Sequence, residues 1–324
     1  MCKRDILKNT EDDERVREWE LDLIESFKRT VELLRSNPIL FLPPLILAYL
    51  IPAALALAGL YIFAPILIAA ANSPAPLSVL FGVAGSVVGI AIIVVLALLA
   101  YAYVLAGWTG MNKSTTLMGR TAFDDFWVGT KAYFGRILAG IVVLAVIYIL
   151  LVGVGVAATF VVILPLIMSV IPADILAGGS PTIPTGLPEI SRIIATVGNT
   201  VGVWLVIVTL AGLVFLFTLF WVQSAAVDEV GALRALGRSV SFVKNNFRTT
   251  LGLAALYIIA TGFTAAIFPG GGGGGGGGAG TAGYGFSLVI PAPLEAVFRL
   301  LITTFFMLYM FVVYADKKTE PPQR

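Results

Sequence analysis

The stretch that decides the fold is residues 51–70, which read IPAALALAGLYIFAPILIAA without one charged side chain. It lies inside a longer run, from Ser36 to Asn112, that contains no Asp, Glu, Lys or Arg. An α-helix needs about 20 apolar residues to cross a hydrocarbon core about 30 Å thick. The run therefore predicts membrane-spanning helices rather than the core of a soluble domain.

Three further charge-free runs follow, at residues 137–173, 193–227 and 249–294. Over 324 residues, 58% are apolar and 12% are charged, whereas a soluble domain carries about 25% charged residues. Turn-forming and glycine-rich sequences separate the apolar stretches from one another. They give six predicted spans, at residues 39–70, 77–108, 137–170, 190–222, 249–268 and 293–315. The fold is expected to be an all-α polytopic membrane protein, with Pro43, Pro44, Pro52 and Pro65 kinking the first span.

The positive charges indicate how the spans are oriented. All 21 Lys and Arg residues except Arg192 and Arg299 lie on one predicted side of the bilayer. Since positive charge is retained on the inner side, both termini are expected in the cytoplasm. Three aromatic residues, Trp108, Trp221 and Tyr314, lie at the predicted inner ends, where such rings favour the headgroup layer. The chain then comprises a charged arm (1–20), one membrane domain (21–315) and a cytoplasmic tail (316–324).

A repeated pattern precedes each pair of spans. Ile24, Phe27, Val31, Leu34 and Pro38 recur at spacings of 3, 4, 3 and 4, and Leu233, Leu236, Val240, Val243 and Phe247 repeat them 209 residues later. A looser copy begins at Phe123, at an offset of 99. The spacing predicts three amphipathic helices, here called leading helices, each lying in the interface before a transmembrane hairpin. We predict three parallel repeats, at about 21–108, 120–222 and 230–315, although such helices also precede hairpins in proteins without internal repeats.

With Val230–Ser239 (VGALRALGRS) in the last copy, this arrangement resembles a group of bacterial and archaeal proteins. The group comprises the six-span membrane domain found beside some glycerophosphodiester phosphodiesterases and related inner-membrane proteins. The resemblance covers roughly residues 20–315 and implies a location in a prokaryotic cytoplasmic membrane. It does not imply phosphodiesterase activity, because the chain contains no segment long enough for the soluble catalytic barrel.

The residue inventory excludes most enzymatic chemistry. The chain has no histidine and one cysteine, Cys2, which excludes histidine-based catalytic triads and histidine or multi-cysteine metal sites. It contains no P-loop motif, and the nine glycines Gly270–Gly278 are interpreted as an external spacer. Asp124 and Asp125 are expected to stabilise a helix N-terminus. We therefore predict no enzyme activity, no cofactor, no metal and no nucleic-acid partner.

Two sets of residues are candidate binding sites. On the outer side, Arg192, Asn199, Glu295 and Arg299 could line a cavity for an anion or lipid headgroup; the alternative is that these charges reach the surface with helical partners. On the inner side, Arg234, Arg238, Lys244 and Arg248 are candidate contacts for anionic headgroups. The favoured function is a non-enzymatic protein that binds membrane lipids or organises a protein partner. The alternatives are a transporter or permease-like subunit for a small, anionic or lipid-like solute, and, less favoured, an intramembrane enzyme.

Overall fold

The computed structural model describes residues 23–72, 76–170, 190–267 and 292–319. Within those residues the chain is helical apart from short connections and forms no strand. The helices are α1 (23–36), α2 (Leu42–Leu45), α3 (Ile51–Asn72), α4 (Pro76–Met118), α5 (Phe123–Val170), α6 (Ile190–Thr218), α7 (Trp221–Val227), α8 (Ala232–Asn245), α9 (Phe247–Ile267) and α10 (Ala292–Thr319). The predictions about the charged arm, Cys2 and the glycine run concern residues outside the described ranges.

Six helical stretches are long and apolar enough to cross a membrane, which confirms the expected number among the described residues. They are Pro38–Tyr61, Val87–Met118, Phe123–Pro165, Ile194–Val227, Phe247–Thr264 and Glu295–Lys318. Large apolar side chains are exposed along them, such as Tyr61 at 85%, Val161 at 71% and Ile259 at 69%. Exposed apolar surface on this scale is typical of a protein that contacts lipid. The protein is a multi-pass membrane protein.

The first span departs from regular α-helical geometry at its start. A 3-10 helix (Pro38–Phe41) precedes α2, and a π-helical turn (Ile46–Leu50) follows it. Pro43 and Pro44 lie in α2, and Pro52 is the second residue of α3, just after the π-helical turn. Each proline removes a backbone donor and disturbs the regular hydrogen-bond ladder, so the irregular segment lies where the prolines cluster. Pro65 lies inside α3.

The connection after the second span is much shorter than expected. Helix α4 continues through Met118, ten residues beyond the predicted end of the second span at residue 108. Gly119, at φ +74°, ends the helix and donates its N–H to the Thr115 carbonyl at 2.9 Å, which is a glycine C-terminal cap. Helix α5 begins four residues later, where Asp125 accepts from the backbone N–H of Ala122 at 2.9 Å. Asp125 thus acts at a helix N-terminus, as its position predicted.

The three leading helices join their spans in different ways. Residues 123–136 and the third span form one continuous helix, α5, of 48 residues. Asn246 alone separates α8 from α9. After α1, the chain passes through Asn37 into the 3-10 helix that begins at Pro38. Separate helix and span segments were expected in each case; no proline or glycine interrupts residues 130–134, so α5 has no reason to break there.

The chain divides into two compact units, Met1–Gly140 with Phe220–Arg324, and Ile141–Leu219. The described part of the first unit is organised around the buried half of α10, where Leu308, Phe311 and Val312 are fully buried. Leu308 also belongs to a hydrophobic cluster in which Met111 and Phe126 are buried. This unit contains all three leading helices.

The first unit also contains a close backbone crossing between α4 and α5. A Cβ atom built on Gly129 would lie 2.6 Å from the Cα of Gly110. Carbon atoms in contact are normally about 3.5–4.0 Å apart. Glycine at both positions is therefore required for this approach.

In the second unit, residues 141–170 of α5 and the helix α6 each contribute an apolar surface. Gly155 lies against the side chains of Trp204 and Ile207. The Tyr148 hydroxyl donates to the Ala211 carbonyl at 3.4 Å. This contact satisfies a polar group within an apolar segment, as membrane-spanning helices require.

The three aromatic residues assigned to the headgroup layer lie inside the protein instead. Trp108, Trp221 and Tyr314 are only 3%, 8% and 4% exposed. The ring of Trp221 occupies the space beside Gly140, and that of Tyr314 contacts Phe242 at a centroid distance of 4.7 Å. The expectation that they form an interfacial belt was wrong, because helix packing buries these positions.

Candidate functional site

The outer-side candidates lie in different parts of the chain. Arg299 pairs with Glu295 at 2.7 Å one helical turn away on α10, and its side chain is 50% exposed whereas that of Glu295 is 11% exposed. Asn199 is exposed on α6. Arg192 also lies on α6, but its side chain is outside the described residues. The pair on α10 belongs to the first unit and the α6 residues to the second, so the shared cavity stays a prediction.

Of the four inner-side candidates, one forms an ion pair with a described residue and three do not. Arg238 contacts Asp228 at 3.0 Å. Arg234, Lys244 and Arg248 are exposed, and none of them forms an ion pair with a described residue. The last three are therefore the bases of α8 and early α9 that remain available to an external anion. We call them the basic surface.

Large apolar side chains stand directly beside this basic surface. Leu233 precedes Arg234 and is 71% exposed, and Phe247 precedes Arg248 and is 46% exposed. A further exposed residue, Leu251 at 50%, lies one turn along α9. Long basic side chains next to apolar ones can place their charge at the headgroups while their neighbours enter the acyl region. Exposed bases beside exposed apolar side chains are more favourable at a membrane surface than in water.

Asp228, which follows α7, is a buried acid whose carboxylate is contacted by four side chains. Its side chain is 3% exposed and lies against Arg238 of α8 and Lys318 of α10. Tyr314 donates to it at 2.8 Å and Ser224 at 3.1 Å. We call these five residues the Asp228 network, and it joins three helices at one carboxylate.

The electrostatic balance in the Asp228 network keeps that carboxylate ionised. Burial alone would raise the pKa of Asp228, but hydrogen bonds from Lys318, Tyr314 and Arg238 outweigh it and hold the pKa below its ordinary value. Aromatic rings pack beside the network: the ring centroid of Phe242 lies 4.7 Å from those of both Phe220 and Tyr314. The carboxylate is thus an anchor rather than a proton-transfer group near neutral pH.

The residue after Asp228 makes a second link to α4. Glu229 has φ +55°, an uncommon conformation for a residue other than glycine, and its carboxylate accepts from Lys113 at 2.7 Å. Lys113 also donates to the Tyr133 hydroxyl at 3.0 Å. The hydrogen bond from Lys113 lowers the pKa of Glu229. The turn between α7 and α8 is therefore held to both α4 and α5.

A corresponding acid holds α1. Asp316, near the end of α10, accepts from Arg29 at 2.6 Å and from Ser26 at 3.1 Å. Arg29 also donates to the Thr116 carbonyl at 3.2 Å. A further hydrogen bond links the residue after α1 to the turn after α4: the buried Asn37 side chain accepts from the Thr121 N–H at 2.9 Å. The first leading helix is thus fixed to α10 and α4.

These functional contacts were not predicted from the sequence, although two signals pointed to them. Asp228 and Asp316 are each the first acid after a long charge-free stretch, which places them at helix ends where a base can reach them. Arg29 and Arg238 occupy matching positions in the first and third copies of the repeated pattern. Within the described residues, no group of three or more His, Cys, Asp or Glu side chains could hold a metal.

Comparison with known proteins gives one family match. A family model described as Domain of unknown function (DUF7847) matches residues 21–316. No curated protein and no solved structure matches the chain. The match carries no activity, and it neither supports nor contradicts the resemblance to phosphodiesterase-associated membrane domains. Because the model covers almost the whole chain, this protein belongs to the DUF7847 family.

Proposed function

We propose that this protein is a non-enzymatic protein of a prokaryotic cytoplasmic membrane that binds anionic lipid headgroups through its basic surface. The proposal rests on three exposed bases, Arg234, Lys244 and Arg248, that form no ion pair with a described residue. These bases lie next to exposed apolar side chains. Each base near an anionic membrane surface contributes about 1 kcal/mol.

The distribution of charge supports an inner location for this surface. The basic surface lies on the side to which the positive-inside rule assigns all bases except Arg192 and Arg299. Anionic lipids of the cytoplasmic leaflet attract such bases within a Debye length of the surface. Both termini are then cytoplasmic.

The contacts of the leading helices support the proposed threefold repeat. Each leading helix packs near the end of a second hairpin helix: α1 on α10 through Arg29 and Asp316, the start of α5 on α4 through Gly129, and α8 on α7 through Ser239. The contact of α1 with α10 would close the series into a ring. Positions 30, 129 and 239, which match in the repeated pattern, are all buried.

The middle copy differs in its chemistry. Val128 stands where Arg29 and Arg238 stand in the other copies, and it is 65% exposed. The start of α5 has a glycine crossing in place of an ion pair at this site. Divergence of this kind is expected if three copies of one unit have acquired different surfaces.

The experiment is native mass spectrometry of the protein released from nanodiscs that contain phosphatidylcholine with or without phosphatidylglycerol. Replacing Arg234, Lys244 and Arg248 together by Gln should remove about 3 kcal/mol of lipid interaction. That loss weakens retention of phosphatidylglycerol about 100-fold, since about 1.4 kcal/mol corresponds to tenfold. The same spectra would report any retained protein partner.

Two control variants sharpen the result. Replacing Lys3, Arg4 and Lys8 by Gln removes the same charge from the amino-terminal arm and should leave retention unchanged. Arg234→Lys with Arg248→Lys keeps the charge and should also retain the lipid. The proposal fails if the triple Gln variant retains phosphatidylglycerol as well as the parent does, or if the arm variant loses it equally.

A transporter or permease-like subunit is the second candidate. The observation that favours it is a row of buried polar atoms on α4 that have no hydrogen-bond partner among the described residues, including Oδ1 of the fully buried Asn112. Transporters need polar groups within the membrane-spanning bundle. A solute-flux assay in proteoliposomes would test it.

A further inference from the structure

The side chains on one face of α4 include three buried polar atoms without a protein partner in the described structure. They are Trp108 Nε1, Asn112 Oδ1 and Thr116 Oγ1, and their residues are 3%, 0% and 3% exposed. Residues four apart lie on the same helix face. A fourth such atom, Gln223 Oε1, belongs to a residue 1% exposed on α7, which packs against α4. Buried polar groups are normally paired, so a row of unpaired ones requires an explanation.

Neighbouring residues show that these groups are not simply bonded to their own helix. Thr109 and Thr115 donate to carbonyls one turn back, at 2.7 Å and 2.9 Å. Thr116 makes no such bond, although it lies beside Thr115 on the same helix. The Asn112 amide nitrogen donates to the Trp108 carbonyl at 2.8 Å, which leaves its oxygen to accept from elsewhere. The hydroxyl and amide oxygen therefore need an external partner.

The chemistry of the row selects the kind of partner. The indole N–H of Trp108 can only donate, the Asn112 oxygen can only accept, and the Thr116 hydroxyl can do both. Two cations lie near the same stretch, Lys113 within it and Arg29, which donates to the Thr116 carbonyl. A bound cation is disfavoured, because the indole N–H cannot coordinate it and the positive charges of Lys113 and Arg29 would repel it. The partner that fits is a small neutral molecule that donates and accepts.

The spacing along α4 matches water. Four residues of α-helix rise about 6 Å, and one bridging molecule with two hydrogen bonds of about 2.8 Å each spans nearly that distance. We propose that a file of ordered water occupies this face of α4, with one molecule between Thr116 and Asn112 and another between Asn112 and Trp108. Gln223 is a further acceptor for the file from α7. This hydrated file goes beyond lipid binding at the basic surface.

The file has an open end and a closed end. Leu117 and Met118, which follow Thr116, are 60% and 64% exposed, so water enters near the end of α4. One turn before Trp108, Val104 and Leu105 are buried and apolar, and no polar group continues the row there. The file is thus about 12 Å long, since Thr116 and Trp108 are eight residues apart.

The test is radiolytic hydroxyl-radical labelling of the full-length protein in nanodiscs, with H₂¹⁸O as the source of the added oxygen. Buried side chains are labelled only where water lies beside them. We expect Trp108 to be labelled at least tenfold faster than Phe311, a fully buried aromatic residue of α10. Protection of Trp108 equal to that of Phe311 would overturn the proposal.

Matched variants locate the water. Thr116→Val removes a file member and should reduce labelling of Trp108 severalfold, whereas Thr115→Val removes a hydroxyl already bonded to its own helix and should not change it. Asn112→Leu should reduce labelling further. If that variant does not fold, the comparison of Thr116→Val with Thr115→Val still decides. If Thr116→Val leaves the labelling of Trp108 unchanged, the proposed water file is also refuted.

Discussion

The glycine crossing between α4 and α5 offers a prediction whose magnitude follows from the structure. In Gly129→Ala, the new Cβ would lie 2.6 Å from Gly110 Cα, 2.9 Å from Gly110 N and 3.1 Å from the Ala106 carbonyl oxygen. These neighbours are backbone atoms, so no side chain can rotate away. The helices must separate by about 1 Å to restore normal carbon contacts. Overpacking of this kind costs about 1–3 kcal/mol.

Alanine also favours helix over glycine, by about 1 kcal/mol, and this gain must be separated from the clash. Gly135 is a matched control, since it lies on the same helix six residues later and a Cβ built there meets nothing within 4 Å. Gly135→Ala should therefore be stabilised by about 1 kcal/mol. The propensity gain is common to both variants, so their difference in unfolding free energy should equal the overpacking cost, about 1–3 kcal/mol.

Unfolding by titration with sodium dodecyl sulfate in mild detergent measures that difference. The double variant with Gly110→Ala adds a further check, because one separation of the helices relieves both clashes. Its cost should be less than the sum of the two single costs. If Gly129→Ala proves at least as stable as Gly135→Ala, the close crossing does not exist and the reasoning is refuted.

Three further predictions concern the ends of the spans. Asp228→Ala should destabilise the protein by about 1–3 kcal/mol, since it removes the acceptor of the Tyr314 hydroxyl and of Ser224 while the half-exposed Arg238 and Lys318 lose little. Glu229→Gln should change the detergent melting temperature little, and equal effects of the two substitutions would contradict the network. Folding lowers the pKa of Asp228. The contribution of the Asp228 carboxylate to the free energy of unfolding is therefore complete above the ordinary Asp pKa of about 3.9 and is lost as the pH falls through the lowered value. The melting temperatures of the parent and of Asp228→Asn should thus differ at pH 7 and converge in strong acid. A fluorescent protein fused to the carboxyl terminus should fluoresce and alkaline phosphatase fused there should be inactive, the reverse result placing that terminus outside.

The sequence was sufficient to predict which segments cross the bilayer, because crossing depends on hydropathy and length, both of which can be counted. It was insufficient where packing decides. Residues 109–118 contain Thr, Asn and Lys and were placed beyond the end of the predicted span, yet they extend α4, since Thr109 and Asn112 are buried against other helices. A hydropathy scale scores a polar residue as exposed to water even when its side chain donates a hydrogen bond to the backbone carbonyl one helical turn back.

The candidate site was predictable only in part, for a related reason. A count of bases predicts the orientation of the spans, but it does not tell which bases already have an acid partner. Arg238 was grouped with Arg234 and Arg248 because all three share a helix face; only the fold brings Asp228 to Arg238. Contacts between residues about 290 positions apart, such as Ser26 with Asp316, cannot be read from local spacing.

The distinction between paired and unpaired bases bears directly on function. Arg29, Lys113, Arg238 and Lys318 each contact an acid at the end of a span or in the turn that follows. Their charges count toward orientation during insertion, but in the folded protein they fix the leading helices and are largely neutralised. The attraction to an anionic leaflet must therefore come from the remaining bases. If the total positive charge governed lipid retention instead, Arg238→Gln would weaken it as much as Arg234→Gln does; the structure requires Arg238→Gln to lower stability and Arg234→Gln to lower lipid retention.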